Sequence, residues 1–132
     1  MNHFNYFKNY KNNNTLVSLA TPTTGFKRGN MFNNLYKPYR NYSVSDLTFK
    51  TDKERLMYEI QMHSFVVNDL VLYLDVNPTD QEALRSFKEY NQKYNLLVNE
   101  FERKYHPLCI NSEQFNQNYF EWVNNWPKGV MM

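Results

Sequence analysis

The chain reads as an all-α protein: a long antiparallel helical hairpin, preceded by a disordered N-terminal arm and followed by an aromatic, mostly irregular C-terminal tail. Three observations carry this reading. Apolar residues recur at spacings of three and four over two long stretches, about 52–76 and 78–105. The stretches meet at Asp75-Val76-Asn77-Pro78-Thr79-Asp80, whose residue types suit a helix end followed by a helix start. The first fifty residues have no sustained apolar period and are rich in Asn, Tyr, Ser and Thr.

The first helix opens on Thr51-Asp52-Lys53-Glu54, a capping box in which Thr51 caps and Glu54 reaches back. Its seam is Leu56, Ile60, Val67, Leu70 and Leu74, with His63 at the missing position. Met57, Val66, Val71 and Tyr73 widen the stripe. Pro78 disfavours helical geometry at Asn77, so the helix should end near Val76. At the corner, Asn77 is expected to be the N-cap of the second helix and Pro78 its first residue. Thr79, Asp80 and Glu82 then fill the first turn, with the acids facing the positive helix end. Asp75 is expected to accept from backbone donors of that second helix. The second seam is Leu84, Phe87, Asn91, Tyr94, Val98 and Phe101, flanked by Ala83, Tyr90 and Leu97, and Pro107 ends it. The short corner makes the two helices antiparallel neighbours.

The predicted organisation is a 1–50 arm and a 51–132 helical domain that includes a 107–132 tail. Two helices bury one stripe each, and a body of about 80 residues is marginal on that core alone. The wide stripes need a further cover: the tail, a second copy or a partner. Phe115, Tyr119, Phe120, Trp122 and Trp126 make the tail an apolar candidate. Tyr73, Trp122 and Trp126 are the candidate partner-binding residues, because large aromatics anchor interfaces. The same three side chains would serve equally well as core.

Charge is unevenly placed. Residues 1–50 hold seven Lys/Arg and one acid, Asp46, whereas residues 51–132 hold eight Lys/Arg and twelve acids. In the arm, Lys27-Arg28 and Tyr36-Lys37-Pro38-Tyr39-Arg40 interleave cations with aromatics, a pattern that can bind single-stranded nucleic acid. The cations are few, and a solvated tail or a tether for an acidic surface fits them better. No apolar run approaches the length of about 20 residues needed to span a membrane, and the N-terminus lacks the apolar core of a signal peptide. Synthesis and use without secretion are therefore expected. Cys109 is the only cysteine, so no internal disulfide is possible.

The residues point to no catalytic, cofactor or metal site. Glu59 and His63 share a helix face, but di-iron bundles need Glu-x-x-His twice plus two further glutamates. Asp69 and Asp75 lie six apart, on different faces. His106 near Cys109 matches no known pair spacing. The expectation is a protein that is not an enzyme.

The corner also carries a family resemblance. Leu72, Tyr73, Leu74, Asp75, Pro78, Asp80, Ala83 and Leu84 match an L-Y-L-D-x-x-P-x-D-x-x-A-L run that resembles the spore coat protein CotJB family. Asn77 stands where that pattern has histidine. Tyr105 and Pro107-Leu108 resemble the family's Y-G-P-L, with His106 in place of glycine. Trp122, Trp126 and Pro127 resemble its Trp/Pro-rich end. The resemblance covers roughly Glu54 to Pro127. It implies a non-catalytic assembly protein of the endospore coat. The implied partners are a CotJA-like coat protein and a CotJC-like manganese catalase; self-association is an expectation from the wide apolar stripes, and no membrane partner one from the lack of a long apolar run. The resemblance implies synthesis in the mother-cell cytoplasm and then residence in the coat. The alternatives are a helical adaptor, or a single-stranded nucleic-acid-binding module working through the basic arm.

Overall fold

The computed structural model describes residues 17–109 and 112. Among them are three α-helices: α1 (Pro22–Arg28), α2 (Asp52–Val76) and α3 (Gln81–Lys104). A 3-10 turn covers Asn33–Leu35, and Leu19 and Phe32 form an isolated antiparallel bridge.

Helices α2 and α3 make the expected hairpin. At its open end Leu56 and Ile60 pack on Phe101, with Met57, Tyr94, Leu97, Val98 and Leu108 around them. At the corner end Val66 and Leu70 pack on Ala83. Early α2 against late α3, and late α2 against early α3, is the antiparallel arrangement. The α2 start is as expected, with a variation. The Thr51 hydroxyl accepts from the Glu54 N–H at 3.2 Å, while the Glu54 carboxylate accepts from Lys50 N–H at 2.9 Å, one residue before the cap.

Two expectations are corrected. The first is the start of the second helix. It begins at Gln81, not Pro78, and its N-cap is Asp80, whose Oδ1 accepts from the Ala83 N–H at 3.0 Å. Asn77 instead closes α2: its backbone N–H and its side-chain amide both donate to Tyr73 O, at 2.9 and 3.2 Å. Pro78 and Thr79 form the turn between them. Asn77 and Asp80 are both good caps three residues apart, and Asp80 also has Tyr73 within reach, which a cap at Asn77 would forgo.

The second correction concerns the arm. Residues 17–35, expected to be disordered with the rest of 1–50, form a strap on α2. Thr21 caps α1 by accepting from the Thr24 N–H, Pro22 takes the first position, and Gly29 ends it at φ 75°, a left-handed conformation that suits glycine. The chain then doubles back. Ala20 N–H donates to Met31 O at 2.7 Å, and Asn33 N–H to Ser18 O at 3.0 Å. This closure buries Ala20, Met31 and Phe32 in the core with Val66, Leu70 and Ala83. Residues 36–50 have no regular secondary structure and are exposed apart from half-buried Tyr36. Residues 1–16 of the arm lie outside the described residues.

Candidate functional site

Helix α2 meets two neighbours along two different arcs. One arc, Leu56, Ile60, His63, Leu70 and Leu74, faces α3. A second arc, Tyr58, Met62, Phe65, Asp69 and Tyr73, recurs at spacings of four, three, four and four and faces the strap. Phe26 packs edge-on to Tyr58 at 5.4 Å and against Phe65 at 5.7 Å between ring centroids. Phe32 stacks on Tyr73 at 4.7 Å. Between them the Asp69 carboxylate accepts from the Met31 N–H at 2.9 Å, satisfying a backbone donor on a fully buried residue. Burying a side chain such as Phe32 stabilises by about 1.5–3 kcal/mol, so this arc is a binding surface already occupied by the chain itself. Sequence reasoning missed it. The signal was there: α2 is apolar on most of its circumference, and such a helix must be covered on more than one side.

The corner is the most connected polar site. Tyr73 donates its hydroxyl to Asp80 Oδ2 at 2.7 Å, while Asp80 Oδ1 caps α3. Burial, then the bond to Asp80 and its charge, push the Tyr73 hydroxyl up to about 12. Of the residues singled out from the sequence, the structure brings Tyr73, Asn77 and Asp80 together. It leaves Pro78 and Asp75 exposed, with the capping role expected of Asp75 taken by Asp80. Tyr73 has an internal role here, between Phe32 and Asp80. Trp122 and Trp126 lie outside the described residues. Beside Tyr73 in the chain, Val71, Leu72 and Val76 are exposed, Leu72 at 59%.

Among the described residues the buried polar side chains are His63, Ser86, Glu102 and Ser112. His63, 2% exposed, sits in the seam with Nδ1 against Glu59 O at 2.8 Å and its ring 6.3 Å from that of Tyr90, and its Nε2 has no hydrogen-bond partner. Glu102 holds down the chain after α3, accepting from the Leu108 N–H at 3.1 Å and from the Ser112 hydroxyl. At the open end Asp52 accepts from Arg55 and, at 2.8 Å, from Tyr105, and these two bonds hold its carboxyl below the usual carboxylate range. Among the described residues, no three His, Cys, Asp or Glu side chains stand close enough to hold a metal ion. No described helix is long and apolar enough to cross a membrane.

Two of the arm's cations, Lys27 and Arg28, are engaged locally. Arg28 lies over the Tyr36 ring, 4.6 Å from its centroid, and donates to Asn30 O and Asn33 Oδ1. Lys27 pairs with Asp46.

No curated protein and no solved structure matches the chain. The family model described as CotJB protein matches residues 54–127, which takes in both hairpin helices and the corner and exceeds half of the chain. On that match the chain belongs to the CotJB family, a family of the spore coat.

Proposed function

We propose that this protein is a non-catalytic assembly component of the endospore coat, made in the mother-cell cytoplasm and then built into the coat. Its partners in this reading are other CotJ-type proteins: a CotJA-like coat protein and a CotJC-like manganese catalase. The single observation that carries the reading is the family match over 54–127. The fold is consistent with it. Part of the described surface is apolar, with Val71, Leu72 and Val76 exposed around the corner and Leu35 exposed on the strap. Clustered exposed apolar residues mark contact surfaces. The partner surface in this reading takes in Trp122, Trp126 and the rim of the corner beside Tyr73.

The experiment is recovery of the tagged full-length protein from sporulating cells, with mass spectrometry of what accompanies it. Enrichment of a manganese-catalase-like protein over a tag-only control is the expected result. Then Trp122→Ala with Trp126→Ala should abolish that recovery while helical content and melting temperature stay unchanged. Clean recovery without any coat protein would sink the reading.

A further inference from the structure

We infer that the strap, residues 17–35, is an exchangeable docking segment: in concentrated assemblies it leaves its own α2 and seats on the same arc of a second copy. The inference does not depend on the coat assignment.

Three features carry it. The strap's closure is self-contained, while its grip reaches the hairpin core, where Met31 and Phe32 pack with Val66, Leu70 and Ala83. Its closure bonds, Ala20 to Met31 and Asn33 to Ser18, are internal to it, and its grip on α2 is Phe26 on Tyr58 and Phe65, Met31 on Asp69, and Phe32 on Tyr73. Every copy carries both halves of that contact, so complementarity with a second copy is already built. Next, the strap is joined to α2 by a long tether. Residues 36–50 are without regular structure, and their side chains touch the strap and α2 through Tyr36 with Arg28, Asp46 with Lys27, and Phe49 with Tyr58. Fifteen residues reach up to about 50 Å. The strap turns back between the levels of Phe65 and Tyr73, roughly 21–33 Å along α2 from Thr51 at 1.5 Å per residue. The tether is slack in one chain and long enough to reach another. Finally, exchange replaces each contact with an identical one, so only the effective concentration favours the chain's own strap. For a short flexible tether that is of the order of mM. Dilute protein keeps its strap. A dense protein layer exchanges it, which links copies without any new interface.

Shortening the tether tests this. Excision of Lys37–Leu47 leaves four residues, which reach about 14 Å, too little to seat the strap on its own α2. The expected result is a dimer or larger closed assembly at μM concentration by sedimentation, where the full-length chain is a monomer. Adding Phe32→Ala to the shortened chain should weaken that association about a hundredfold or more. A monomeric shortened chain overturns the inference. So does a dimer indifferent to Phe32→Ala, because it uses another surface.

Should the excision unfold the chain, full-length copies decide the matter. In a Cys109→Ser background, one copy carries Asn34→Cys and another Val76→Cys, both exposed and within three residues of the Phe32–Tyr73 stack. A short bis-maleimide should join the two copies at mM and not at μM concentration. Leu96→Cys, on the outer side of α3, is the control for random collision. Cross-linking no greater than that control at mM concentration overturns the inference.

Discussion

Asp80 is the residue on which the corner turns, and Asp80→Ala separates the observed corner from the one the sequence predicts. The substitution removes two interactions. Loss of the cap on Ala83 N–H costs about 0.5–2 kcal/mol. Loss of the Tyr73 hydroxyl's bond, at 2.7 Å to a carboxylate, costs about 1.5 kcal/mol, the low end for a charged acceptor because the pair is half-exposed. Together about 2–3.5 kcal/mol is expected, a fall in melting temperature of about 10–20 °C for a domain of this size. Asp80→Asn keeps an acceptor for Ala83 and should cost about 0.5–1.5 kcal/mol. Asn77→Ala loses one neutral bond to Tyr73 O and should cost about 0.5–1 kcal/mol. The assay is urea and thermal unfolding by circular dichroism, with Tyr73→Phe completing a double-mutant cycle whose coupling should be near 1.5 kcal/mol. The Tyr73 hydroxyl is raised to about 12, so the fold favours its neutral form. That stability is present below the ordinary tyrosine value and is lost as pH rises through about 10 to 12. Tyr73→Phe should flatten this alkaline limb. An Asn77→Ala more damaging than Asp80→Ala, or a coupling near zero, would refute the argument.

Gly25→Ala should loosen the strap, since a Cβ there runs into the Sδ of the buried Met31 side chain; overpacking of this kind costs about 1–3 kcal/mol, read as a drop in melting temperature. Limited trypsin should cut first after Arg40 in the exposed tether, because Lys37 precedes a proline, yet the released strap should stay with the hairpin through gel filtration; immediate loss of the fragment ending at Arg40 counts against the docked strap. His63→Leu should leave stability unchanged or raise it by about 1 kcal/mol, because it removes a buried nitrogen without a partner; a loss above 1 kcal/mol in urea unfolding would reveal a partner. Asp52 is held below its ordinary 3.8 by Arg55 and then Tyr105, so its stabilisation is present above that value and lost as pH falls; Asp52→Asn should flatten the acid limb of a stability–pH curve.

The hairpin was legible because its signal is local and periodic. Leu56, Ile60, Leu70 and Phe101 fall where the three-and-four spacing puts them, and all are buried. The exact helix start was less legible, since Asn77 and Asp80 have the same capping chemistry and only Tyr73, seven residues before Asp80 and on the other helix, decides between them. The strap was not legible as a fold. Val17, Leu19, Phe26, Met31 and Phe32 have no period, and they converge only when the chain closes around α1. Two local signs did point to it. Thr21-Pro22 followed by Gly29 is the cap pattern of a short helix, and Tyr58, Met62, Phe65 and Tyr73 form a second stripe that one neighbour cannot cover.

The two helices also differ in what they turn to solvent, and desolvation orders those faces as partner surfaces. The outer side of α3 carries Arg85, Glu89, Lys93 and Arg103 around Leu96, all exposed. Covering it would strip water from charges whose partners in this chain are few, the i,i+3 pair of Arg85 with Glu82 and the bond of Arg103 to Asn99 O. The free side of α2 carries Gln61, Ser64 and Asn68, leading to Val71 and Leu72 at the corner, all exposed and uncharged. Interface centres are depleted in charge, so a coat partner that binds the described body should lie along this side of α2. Ser64→Glu with Asn68→Lys, placed on exposed positions, should leave melting within about 0.5 kcal/mol of the parent and abolish partner recovery from sporulating cells. Arg85→Ala with Leu96→Ser on α3 should leave recovery intact. The reverse pattern would put the contact on α3 and would mean that its charges are met by complementary charges on the partner.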